Sequence, residues 1–128
     1  MIAFLAASLL LAANGDQILG TWALPNGDTK VAIEKCGAQY CGTIAWMKTP
    51  RNDEKNEDAS LRGRPLVGVR ILTGAAFDGK AAWTGAKLYG PGRGITVDAK
   101  LALTNDDSLQ VKASAGIASR TVVWTRVK

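Results

Sequence analysis

From Asp16 onward, no stretch of this 128-residue chain sustains a helical period. Its apolar side chains recur in short runs broken by turn residues, and that pattern restricts the fold more than any other feature. Eight segments read as strands: 18–24, 29–35, 40–47, 65–73, 81–89, 94–103, 108–114 and 120–127. Alternation is clearest in the sixth and seventh. Val97, Ala99, Leu101 and Leu103 share one face against Thr96, Asp98 and Lys100, and Leu109, Val111 and Ala113 oppose Ser108, Gln110 and Lys112. One buried and one wet face is the mark of antiparallel sheet. Turn signals such as Asn26-Gly27-Asp28, Asp78-Gly79-Lys80 and Asn105-Asp106-Asp107 separate the runs. Eight strands in simple succession predict an all-β, small eight-stranded antiparallel up-and-down barrel, because closure removes exposed edges.

The segment before the barrel differs in kind. Residues 1–13 read MIAFLAASLLLAA, with Ser8 the single polar side chain. A membrane-spanning helix needs roughly 20 apolar residues. This run instead has the length of a signal-peptide core, and small residues follow it. Cleavage after Ala13 or after Gly15 fits; the second divides the chain into a signal peptide, 1–15, and a barrel domain, 16–128. A weak point is the absence of Lys or Arg ahead of the apolar run, and a buried N-terminal helix is the competing reading. Export predicts a periplasmic or secreted protein.

Cys36 and Cys41 support that address. They flank a turn between two strand-like runs, so the cysteines face each other across a hairpin, within disulfide reach. Two thiolates without His or a second Cys pair fall short of the usual four zinc ligands, and the spacing is not C-x-x-C. A structural disulfide is expected, and no metal.

The composition, 47% hydrophobic and 21% charged, is that of a globular domain, and the length predicts one. Histidine is absent, which removes His triads, His general bases and His-ligated metals. A formal net charge of +5 comes from Lys and Arg spread along the chain rather than clustered. No nucleic-acid partner is expected, and the charge allows only weak contact with an anionic envelope surface. No Gly-rich phosphate loop, nucleophile elbow or metal-ligand cluster appears, so no cofactor is expected.

The tryptophans and one loop supply the candidate site. Trp22, Trp46, Trp83 and Trp124 fall on four different strands. Trp46 shares parity with Ile44, which predicts that it points inward. In a closed barrel the first and last strands are neighbours, so Arg126 can lie over Trp22 as a closure contact. Residues 48–64, KTPRNDEKNEDASLRGR, show no apolar face and read as a solvated connector or a binding lid. As ligand contacts we single out Trp46, Trp83 and Tyr89 for stacking, with Arg62 and Arg64 for a carboxylate or phosphate. The same arginines can equally hold loop carboxylates such as Asp53 and Asp58. An eight-stranded barrel is just wide enough for side chains or one small ligand.

Taken together, ILGTWALPNGDTKVAIEKCGAQYCGTIAWM, NDEKNED with LRGRPLVGVRIL, DGKAAWTGAKLYGPGRG and the closing VVWTR resemble the bacterial family named domain of unknown function 2147. The resemblance runs from about Asp16 to Arg126. It implies small exported proteins with a lipocalin-like β-barrel, and it brings no activity to carry over. Two positions depart from the family pattern: Glu57 follows Asn56 where Pro is usual, and Gly90 stands between Tyr89 and Pro91 where Asp is usual. The sequence thus points to a non-enzymatic carrier of a small hydrophobic or amphipathic ligand. The competing reading is a filled barrel that acts through its surface.

Overall fold

A computed structural model describes residues 14–128; the apolar run 1–13 lies outside the described residues. Strands β1 (Gly20–Ala23), β2 (Thr29–Cys36), β3 (Gln39–Met47), β4 (Arg70–Phe77), β5 (Ala82–Gly90), β6 (Ile95–Asn105), β7 (Ser108–Ala115) and β8 (Ala118–Arg126) pair antiparallel in chain order. They close into one barrel. The alternation read from β6 and β7 holds, with Ala99, Leu101, Leu109 and Val111 buried and Lys100, Gln110 and Lys112 exposed. Closure rests on a short seam, where β1 meets β8 through Trp22↔Arg126 and Ala23↔Thr125.

The two ends of the barrel differ. At one end a 3-10 turn, Gly15–Ile18, is folded in as a plug. The Asn14 carboxamide caps it by accepting from the Asp16 N–H at 2.9 Å. Ile18 is fully buried beneath. Trp22 Nε1 donates to the Ile18 carbonyl at 3.0 Å and Trp83 Nε1 to the Gly15 carbonyl at 3.2 Å. Buried indole N–H groups need such partners, so the plug and the two tryptophans require one another. The Tyr40 hydroxyl donates to Asp16 at 2.5 Å; burial first, and then this bond, push its pKa up to about 12. Gly15 has no substitute here, since a Cβ would lie 2.4 Å from the Tyr40 hydroxyl. The half of the lumen nearest this end is filled by Trp22, Trp83, Trp124, Leu101, Leu109 and Val111.

The β2–β3 hairpin also turns at the plugged end, through Gly37 at φ 65°, and the Cys36–Cys41 disulfide closes it. The cysteines are not directly opposed. Cys36 pairs with Gln39, and Cys41 pairs with Glu34, so the bridge runs diagonally with Cα atoms 5.9 Å apart. Converting both cysteines to Ser is expected to cost about 2 kcal/mol, the loop-closure entropy of so short a ring. Urea unfolding should show that loss while the far-ultraviolet dichroism of the barrel persists.

Two sequence expectations are corrected here. Trp46 points outward and is 42% exposed. Lys30 pairs with Trp46 while the next residue, Val31, pairs with Ile44, so Ala45 is an extra residue in a β-bulge. The bulge reverses the parity that Ile44 implied, and Met47 takes the buried position. The fourth strand begins at Arg70 rather than Pro65. Ahead of it, Gly68 at φ 98° and a hydrogen bond from the Val69 N–H to the Leu66 carbonyl make a turn that leaves Val67 exposed.

Candidate functional site

The opposite end stays open. It carries the β1–β2, β5–β6 and β7–β8 turns and the long connection between β3 and β4. Along β7 the lumen-facing side chains shrink toward this end, from Leu109 and Val111 to Ala113 and Ala115. Along β8 the same face carries Ala118 at the mouth, then Arg120 opposite Ala113, then Val122 and Trp124 inside. Small residues on the inner wall leave space that the large ones fill elsewhere. The result is a cavity of about 460 Å³ that opens to solvent. Its wall is mostly apolar, formed by Leu88, Ile95, Val97, Ala113 and Ala118, with Ser114 and Ser119 beside them. Arg93 and Arg120 also line it. Both are exposed, and neither belongs to an ion pair among the described residues. The volume falls within the range of small-molecule sites.

The 48–69 connection is a built structure rather than a loose lid. It is pinned by an isolated bridge between Asn52 and Pro65, and the Asp53 N–H donates to the Arg64 carbonyl at 2.9 Å. Asp58 caps a 3-10 turn over Ala59–Leu61. At its centre the Asp53 side chain is fully buried. One Asp53 oxygen accepts from the Tyr89 hydroxyl at 2.6 Å. The other accepts from Asn56 Nδ2 at 2.8 Å and Arg64 Nε at 3.0 Å, and lies 2.9 Å from Arg64 Nη2. Burial pushes the Asp53 pKa up, but hydrogen bonds from Tyr89, Asn56 and Arg64, with the Arg64 charge, outweigh it and hold the carboxyl below its ordinary range. Tyr89 moves the other way, raised by burial and by its bond to Asp53, so it stays a donor.

Leu88 faces the lumen and its neighbour Tyr89 therefore faces out, so the connection folds back against the outer wall of β5. Gly94, in the β5–β6 turn, permits this approach. It sits at φ 72°, and a Cβ there would lie 1.7 Å from the Lys55 carbonyl oxygen.

The five candidate contacts therefore do not converge on one ligand position. Trp83 is buried at the plugged end, hydrogen-bonded to Gly15. Trp46 lies on the outer wall with the Lys30 ammonium 4.7 Å from its ring centroid. Tyr89 and Arg64 are both committed to Asp53, and Arg62 donates to the Asn56 carbonyl at 2.7 Å. Arg126 lies over Trp22, its guanidinium carbon 4.4 Å from the ring centroid. The residues that line the cavity, Arg93 and Arg120 above all, escape a reading of motifs. The decline in side-chain size along the inner face of β7 could have found the space, and the parity Arg120 shares with Val122 and Trp124 could have found the arginine.

A solved structure of similar shape is protein HP1028 from Helicobacter pylori, described as belonging to the lipocalin family. It superposes with a TM-score of 0.79 at 20% identity, over 87% of this chain and 83% of that one. A comparison with curated proteins gives no match. Residues 20–126 match the family described as "Uncharacterized protein conserved in bacteria (DUF2147)". With the match spanning the whole barrel from the first residue of β1 to the last of β8, the chain belongs to the bacterial DUF2147 family and has a lipocalin-like fold.

Proposed function

We propose that this protein binds a small amphipathic anion in the open half of its barrel, outside the cytoplasm. The observation that carries the reading is the pairing of a mostly apolar wall with two uncommitted guanidinium groups at its rim. Leu88, Ile95, Val97 and the two alanines would take the apolar part of the ligand, and Arg93 and Arg120 its carboxylate, sulfate or phosphate. The lipocalin-like fold is compatible with such a ligand. The reading is of a binder rather than an enzyme. Asp53, the one buried carboxylate among the described residues, already accepts from three side chains and has no proton task left to perform. The disulfide and the bacterial family support an exported location. Of the two cleavage points, a cut after Ala13 is the one that keeps Asn14 and Gly15, which cap and complete the plug.

The test compares dodecanoate with dodecanol and dodecyltrimethylammonium by isothermal titration. Dodecanoate is expected to bind best. Each exposed guanidinium contributes about 1 kcal/mol, so Arg93→Ala with Arg120→Ala should weaken dodecanoate roughly 30-fold and leave dodecanol nearly unchanged. Filling the space with Ala113→Trp should abolish both. Equal affinity for the anion and the cation would defeat the proposal.

A further inference from the structure

We propose that the open end of the barrel is a membrane-docking face that seats on an anionic phospholipid surface. The inference goes beyond ligand binding and does not depend on it. Among the described residues, five large apolar side chains are conspicuously exposed: Trp46, Val67, Ile95, Ile117 and Val123. The first four lie at the open end and only Val123 sits on the outer wall, opposite Gln110. Ile117 stands at the tip of the β7–β8 turn with no cover at all, at 108% relative exposure. An isoleucine held out on a two-residue turn gains nothing for the fold, yet it is the side chain a lipid interface would bury. Trp46 has the amphipathic ring that favours the headgroup level, with the Lys30 cation beside it.

Charge is divided the same way. Residues 24–30, 46–70, 89–95 and 115–120 form the open end and contain nine Lys or Arg against five Asp or Glu, a formal +4. Residues 14–19, 34–41, 77–81, 104–109 and 125–128 form the plugged end and contain four against five, a formal −1. Strands of eight or nine residues set the ends about 20 Å apart even when tilted. That exceeds the Debye length of about 8 Å at physiological salt, so a surface touching one end is screened from the other. An anionic bilayer therefore attracts the open end, turns the plugged end away and meets Ile117 first. Docked so, the cavity mouth faces the lipid headgroups, and an amphiphile passes between them without crossing bulk water.

The experiment is co-sedimentation of the exported protein, cleaved after Ala13 as proposed above, with vesicles of phosphatidylcholine, with or without about one-third phosphatidylglycerol. The apolar run 1–13 is thereby kept out of the comparison. Binding is expected to require phosphatidylglycerol. Ile117→Asp should weaken it about fivefold, and separately Lys48→Glu with Arg51→Glu, which reverses two surface charges, about 30-fold. Lys80→Glu with Lys128→Glu makes the same change in net charge at the plugged end and should leave binding within about twofold. Equal loss in that control, indifference to Ile117→Asp, or equal binding to pure phosphatidylcholine would each overturn the proposal. The cavity-filled Ala113→Trp protein should still dock. If it does not, association follows cavity occupancy rather than the surface, and the docking assignment falls while the ligand reading stands.

Discussion

Asp53→Ala is expected to destabilise the protein by about 3 kcal/mol, although the residue lies in a connection outside the barrel strands. The Asp53 side chain is fully buried and accepts from Tyr89, Asn56 and Arg64. Its loss leaves the Tyr89 hydroxyl and the Asn56 amide without their acceptor, in a place water reaches poorly. Arg64, 36% exposed, can turn partly to solvent, which keeps the cost at the lower end of the range for a broken buried pair. In a domain of this size the loss should lower the melting temperature by roughly 12 °C at pH 7. Tyr89→Phe removes one donor and should cost about 1 kcal/mol. The linkage has a definite sign. The folded carboxyl titrates below its ordinary value, so its contribution is fully present above the unfolded pKa and is lost as the pH falls through the folded one. Wild type and Asp53→Ala should therefore differ most at neutral pH and converge on acidification from about pH 5 downward. A melting shift of only two or three degrees at pH 7 would mean that the connection unfolds apart from the barrel.

The barrel was legible in the sequence because closure and alternation are strong local constraints, while the site depends on what those constraints do not encode. Period-two runs in β6 and β7 define an inner face, and eight such runs in succession leave closure as the simplest solution. Neighbouring first and last strands then set Arg126 over Trp22. Trp46 was misplaced because a single inserted residue, Ala45, reverses parity, and alanine in a strand carries no signal of a bulge. Pro65 to Val69 carried the right residues for a strand, but the Gly68 turn diverts them. The knot of Asp53, Arg64 and Tyr89 joins residues 36 positions apart with no periodicity to announce it. The cavity was hidden for the opposite reason. Ala113, Ala115 and Ala118 read as ordinary wall until one asks how much of a barrel's lumen alanines fill.

The largest loss is expected at the seam, from Trp22→Ala. The β1–β8 ladder holds only two registered pairs, so side chains must secure what backbone hydrogen bonds leave weak. Trp22 is fully buried, donates to the Ile18 carbonyl and supports the Arg126 guanidinium on its ring face. Arg126 in turn donates to the Leu19 and Gln17 carbonyls at 2.8 Å and to the Asp106 carbonyl at 2.7 Å, tying plug, β8 and the β6–β7 turn together. Removing the indole should cost about 4–5 kcal/mol, from the cavity and from the lost cation–π contact. Against a total of roughly 5–15 kcal/mol for a domain, that brings the fold to the edge of stability. Arg126→Ala should cost about 2–3 kcal/mol. Arg126→Lys should recover little, because an ammonium cannot span three carbonyls while lying flat on a ring. In urea unfolding, the double variant Trp22→Ala with Arg126→Ala should fall short of the sum of the single losses by about 1 kcal/mol, the coupling of a stacked pair. Strict additivity, or full rescue by lysine, would show that the seam is held by its backbone pairs and that Arg126 is only a charge at the plugged end.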